Sequence, residues 1–196
     1  ILVTGSSGCG KSALIANWLK SVSDIETDTE VHAHYLGATA DATDPVFLVR
    51  RLIECIKRKT EITDDLASDP DELLDSLPTW LAIANSWCDR QGKRFLFVID
   101  ALNGLSDRRD LRWFPRMLPK HVHLVVSTLP GEVYDNLQDK ADWCHVSVTP
   151  LDLETAKLVF IAYLALFNKT LPDNLTARVM AHALAVNPLF LLTLAE

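Results

Sequence analysis

Basic residues are in short supply in this 196-residue chain: 19 Lys and Arg stand against 26 Asp and Glu, for a net charge of −7. That balance repels a phosphate backbone and argues against a general nucleic-acid binder. No apolar run approaches the roughly 20 residues of a membrane span, and no signal peptide is visible, so a cytoplasmic setting without a membrane partner is expected. Cysteine is sparse as well. Cys9, Cys55, Cys88 and Cys144 are scattered without C-x-x-C spacing, as expected of a reduced intracellular protein. Lys and Arg vanish between positions 61 and 89, where eight acids collect, and the stretch reads as a solvated linker and helix face. There is no internal repeat. The chain opens without Met inside a strand-like run and stops within a helical pattern, as expected of a piece cut from something longer.

Glycine is scarce too, seven in all, yet three fall within six positions. They lie in GSSGCGKS, residues 5–12, directly after the apolar run Ile1-Leu2-Val3-Thr4. Gly5, four residues, then Gly10-Lys11-Ser12 is the P-loop spacing G-x-x-x-x-G-K-[ST], also called Walker A. Glycines let the backbone curl so that successive N–H groups face inward and form an anion nest. The helix that follows turns its positive end to the same spot. Lys11 would reach the β- and γ-phosphates of a nucleotide, and the Ser12 hydroxyl would ligate Mg²⁺. The candidate phosphate-contacting set is therefore Gly5, Ser6, Ser7, Gly8, Cys9, Gly10, Lys11, Ser12 and Ala13. The alternative, a Gly/Ser-rich surface loop with a solvated lysine, lacks the strand before and the helix-forming residues 13–19 after.

Strand and helix signals then alternate, the mark of a parallel α/β sheet. Residues 31–37 read as a second strand. Asp44-Pro45 supplies a cap and an N1 proline for a helix whose apolar stripe is Val49, Leu52, Ile53 and Ile56. A short helix is expected over 71–77, and Pro78 is read as starting another that ends near Gln91-Gly92. Phe95-Leu-Phe-Val-Ile-Asp100 is a continuous apolar run closed by an acid, as in a strand buried on both faces. Further strands are expected at 123–128 and 143–148. Beyond Pro150 strand signals stop, and 153–167, 175–185 and 188–194 carry helical spacing. The division so read is an α/β nucleotide-binding domain over 1–150 and a helical lid over 151–196.

Asp100 would lie at the carboxyl end of the sheet beside Mg²⁺ and its waters. After it, Ala101-Leu102-Asn103-Gly104 offers only Asn103 to orient a water, and an amide cannot accept the water's proton. Lys11, Asp100 and Asn103 are thus the catalytic candidates, and Ser12 and Asp100 the metal candidates. Ser127 and Thr128, closing the next strand, are placed to read a γ-phosphate or simply to end the strand. His32/His34 and His121/His123 are each two apart and read as structural. Arg108, Arg109, Arg112 and Arg116 cluster between two strands. They read as exposed charges, with a finger into a neighbouring copy of a homo-oligomer as the alternative.

GSSGCGKS at 5–12, FLFVIDALNGL at 95–105, LRWFPRMLPKHVHLVVSTLPGE at 111–132 and NPLFLLTLAE at 187–196, in that order, resemble a STAND-class P-loop NTPase of the NACHT-like group. The resemblance implies a three-layer sandwich around a five-stranded parallel sheet ordered 5-1-4-3-2, then a helical lid, a winged helix and a repeat array. It implies ATP/ADP as the ligand of a switch, with Mg²⁺, and places Pro188 beside the adenine. Two positions depart from it. Asn103 and Gly104 stand where many relatives carry further acids, and Leu129 stands where many carry an arginine. The expected function is a nucleotide-operated switch module of a larger signalling or scaffold protein, with slow ATP hydrolysis. A small-molecule kinase would need a basic lid, and 151–196 holds only Lys157, Lys169 and Arg178. A scaffold that binds nucleotide without turnover is the third reading.

Overall fold

The computed structural model describes residues 1–25, 28–106, 111–138, 140 and 142–196. Five strands form one sheet: β1 (Leu2–Thr4), β2 (Thr29–Tyr35), β3 (Arg94–Asp100), β4 (Val122–Thr128) and β5 (His145–Ser147). Every pairing is parallel and the order is β2-β3-β4-β1-β5, the expected 5-1-4-3-2 read from the other edge. Strand β3 shows why the sheet is buried on both sides. Phe95, Phe97 and Ile99 point to one face and Leu96 and Val98 to the other, each almost fully buried.

One face carries α2 (Pro45–Thr60) and α3 (Pro70–Gln91). Leu48, Val49, Leu52, Ile53 and Ile56 of α2 and Leu73, Leu77, Trp80, Leu81, Ala84 and Cys88 of α3 pack there against the β3 phenylalanines. The opposite face is covered by α1 (Lys11–Ile25) through Ile15, Leu19 and Val22. Helix starts follow local chemistry. Asp44 accepts from Val46 N, and Asp69 accepts from Glu72 N.

Helix α3 differs from the expectation of two helices split at Pro78. It is continuous, with Pro78 inside it on the exposed side. An internal proline costs about 3 kcal/mol. Trp80 and Leu81, which a break would swing out of the core, bury enough apolar surface to offset it at about 1.5–3 kcal/mol each. A short helix, α4 (Glu132–Gln138), was not foreseen; it is anchored by Val133 and Leu137.

The chain then forms α5 (Leu153–Leu166), α6 (Asp173–Met180) and α7 (Pro188–Ala195). They have a small core of their own, with Ala156, Phe160 and Leu164 of α5 against Leu191 and Ala195 of α7. The helix expected over 175–185 ends at Met180. Turns replace its last part: His182 N donates to Val179 O, Ala185 N to His182 O and Asn187 N to Leu184 O. Leu151 N fastens the segment through Val186 O at 2.9 Å. These bonds override the helical propensity of an alanine-rich stretch and turn Asn187 toward the opening of the chain.

Candidate functional site

The loop between β1 and α1 is built around its glycines. Gly8 has φ +75° and Gly10 φ +100°, the left-handed region that disfavours a side chain. Gly5 is required by crowding: a Cβ there would lie 2.5 Å from Val148 O and 2.8 Å from Cys9 Sγ. The first intrahelical bond of α1 runs from Leu14 N to Gly10 O at 2.8 Å. The N–H groups of Lys11, Ser12 and Ala13 precede it and are donors without an intrahelical acceptor. Lys11 Nζ donates to Gly5 O and Ser6 O, both at 2.9 Å, so its ammonium lies over the loop. Ser12 and Ala13 are exposed in the first turn of α1, and Cys9 is buried beneath the loop.

Asp100 ends β3 at the same edge of the sheet and is 4% exposed. Its Oδ1 accepts from the buried Ser127 hydroxyl at the end of β4, whose oxygen in turn accepts from Ala101 N at 2.8 Å. Ser127 is therefore turned toward Asp100, not toward the loop. Thr128, also buried, lies opposite Thr4 in register, and its hydroxyl donates to Leu129 O at 3.3 Å. Asn103 sits in a 3-10 turn, Leu102–Gly104, where its Oδ1 accepts from Leu129 N at 3.1 Å. That bond engages one lone pair of the amide oxygen and ties the turn to the residue after β4.

The amino end of α7 closes over the loop. Asn187 caps α7 by accepting from Leu189 N and Phe190 N, while its Nδ2 donates to Ser7 O at 2.8 Å. Leu189 N also donates to Gly8 O at 3.2 Å. Pro188, the first residue of α7, has its Cγ 3.9 Å from where a Gly10 Cβ would lie. The resemblance set Pro188 beside an adenine; the structure lays it against the loop, next to Asn187, which was not among the sequence candidates, as the Ser127–Asp100 bond was not. An asparagine before a helical proline signals only a cap, and nothing local marks its second partner.

Other candidates lie elsewhere. His32 stacks on Phe95 and Phe97, and His34 is buried with Nε2 3.0 Å from Ala42 O. Burial pushes both imidazoles below the ordinary histidine range, with the Arg58 charge adding to the effect at His32. His121 lies 3.3 Å from Asp89. Arg108 and Arg109 fall outside the described residues. Arg116 lines a cavity of about 620 Å³ beside Ile1, Arg94 and Val122. Those residues mark the amino ends of the strands, opposite the carboxyl edge where open α/β sheets bind ligands.

The five-stranded parallel sheet with the glycine loop after its first strand resembles the P-loop ATPase fold. No known family profile matches the chain. It is 27% identical to a TPR repeat-containing protein of Dictyostelium discoideum, over 97% of this chain and 14% of that protein. It is 24% identical to human nephrocystin-3, over 83% of this chain and 12% of that protein. Among solved structures it superposes on the Walker-type ATPase of Pyrococcus abyssi with a TM-score of 0.62 at 19% identity, over 99% of this chain and 61% of that one. The structural likeness is one of fold, and the chain spans about one seventh or less of the two curated relatives.

Proposed function

We propose that the chain is the nucleotide module of a larger regulatory protein, binding ATP or ADP with Mg²⁺ and hydrolysing ATP slowly. The observation that carries this reading is the donor set of residues 5–13. A loop with no room for side chains at Gly5 and Gly8 leads into three helix-end N–H groups with an ammonium above them. That chemistry suits the oxygens of a di- or triphosphate. Ser12 and Asp100 would hold Mg²⁺, which supplies charge neutralisation on the phosphates. Among the described residues no group of three or more His, Cys, Asp and Glu is arranged to take a metal ion by itself. This fits an ion held largely by phosphate and water.

Slow turnover follows from what surrounds Asp100. Asn103 has its acceptor oxygen engaged by Leu129 N, Gly104 has no side chain, and Leu129 brings no charge. An arginine at the γ-phosphate is worth roughly 10³–10⁵ in rate where P-loop enzymes use one. The isolated chain should therefore turn over ATP more slowly than about once per minute. Single-turnover phosphate release, with mass-spectrometric identification of the copurified nucleotide, tests this. Release faster than about one per second would refute it and demand a catalytic acid not yet identified. The switch role is supported by the TPR-containing relative, whose name fits a repeat array flanking such a module. A winged helix and a cytoplasmic setting belong to the same proposal. Among the described residues no helix is long and apolar enough to cross a membrane.

A further inference from the structure

A trans peptide is planar, so its C=O and the following N–H point in opposite directions. Two peptides at the tip of the phosphate loop are gripped by their carbonyls from the α7 side. Ser7 O accepts from Asn187 Nδ2 at 2.8 Å, and Gly8 O accepts from Leu189 N at 3.2 Å. The N–H groups of Gly8 and Cys9, which belong to those same peptides, are thereby directed away from α7 and into the curl. Cys9 N makes a turn bond to Ser6 O of 3.4 Å, in keeping with that direction. The grip is close. A Cβ on Gly8 would meet Asn187 Oδ1 at 2.6 Å, Leu189 Cβ at 2.9 Å and Asn187 Nδ2 at 3.0 Å. Both ends of the Asn187 amide are used, the oxygen to cap α7 and the nitrogen to hold the loop.

We infer that Asn187 is a positioning residue of the phosphate site: it orients the Ser7–Gly8 peptide so that Gly8 N–H faces the phosphate, and it makes phosphate affinity depend on the seating of α7. The inference rests on the nucleotide reading of the loop. Asn187 acts through the loop backbone and touches no phosphate. It is thus distinct from any contact between Pro188 and a base. Because the same side chain starts α7, displacing that helix releases the loop peptide, and ordering the loop around phosphate favours the seated helix.

The test uses Asn187→Ser, because serine caps a helix comparably but is too short to reach Ser7 O. Calorimetry would measure Mg-ADP and inorganic pyrophosphate binding to the wild type, Asn187→Ser and Lys11→Ala. Losing one hydrogen bond that orients a donor should weaken both ligands about tenfold in Asn187→Ser, with the melting temperature within about 5 °C of wild type. Pyrophosphate has no base, so its loss cannot arise from a contact to adenine. Unchanged affinities in Asn187→Ser, with binding abolished in Lys11→Ala, would overturn the inference and leave the nucleotide reading standing. Weakened ADP with unchanged pyrophosphate would also overturn it, by assigning Asn187 to the base. A wild type that binds neither ligand would remove both readings. If Asn187→Ser proves unstable, Asn187→Asp also caps α7 without the donor. Its loss should persist in 0.5–1 M salt, where roughly 3–4 Å of Debye screening removes the effect of the added charge, and a loss abolished by salt would count against the inference.

Discussion

Replacing Ser127 with alanine removes a single oxygen, yet that oxygen makes two bonds in a fully buried position. It donates to Asp100 Oδ1 and accepts from Ala101 N. The first bond is to a carboxylate that is 4% exposed, and hydrogen bonds to charged groups contribute about 1.5–3 kcal/mol. The second leaves an amide donor unsatisfied, at a cost of about 1–3 kcal/mol. The combined destabilisation should be about 3–5 kcal/mol, a large share of the 5–15 kcal/mol typical of a domain. For a chain of this length each kcal/mol lowers the melting temperature by about 2–4 °C, so a drop of about 6–20 °C is expected in differential scanning calorimetry. A double-mutant cycle with Asp100→Ala should show coupling of at least about 1.5 kcal/mol. A melting temperature within 2 °C of wild type, or additive effects in the cycle, would refute the reasoning. Ser127 would then be reading something other than Asp100.

Two further outcomes follow from the backbone and from the buried imidazoles. Ala101 adopts φ +60°, left-handed for a residue with a Cβ, so Ala101→Gly should raise stability by up to about 1 kcal/mol in urea denaturation; a loss would mean that its Cβ packs usefully. Burial lowers the folded-state pKa values of His32 and His34 below the unfolded one. Well above the unfolded pKa of about 6.5 neither state is protonated and nothing is lost. As pH falls below that value the unfolded chain takes up protons that the folded chain refuses. Stability should therefore fall as the pH drops from about 7.5 toward 5, by no more than about 1.4 kcal/mol per pH unit for each histidine. Paired urea melts at pH 7.5 and 5.5 check this, and equal stabilities would refute it.

Much of the fold was legible along the chain because the signals are local. The stripe of Val49, Leu52, Ile53 and Ile56, the cap at Asp44, and the apolar run into Asp100 each state their element within a few residues. Where the reading failed, a distant partner had decided. Pro78 reads as a helix start, but Trp80 and Leu81 are held in the core against the sheet and carry α3 through it. Residues 181–185 read as helix, but Leu151 and the phosphate loop hold the following turn elsewhere.

The site divides along the same line. Glycine spacing, Lys11 and Ser12 lie within eight residues, so the sequence by itself determined the loop and the kind of ligand its donors suit. Asp100 followed from a strand that ends in an acid. The partners of these groups were decided only in three dimensions. Ser127 reaches Asp100 across 27 positions, Asn103 reaches Leu129 across 26, and Asn187 reaches Ser7 across 180. A hydrogen bond depends on separation in space, and chain order says nothing of which strand end or helix start will come within 3 Å. The parallel sheet brings the ends of β1, β3 and β4 to one edge, and the turn after α6 lays α7 over the loop.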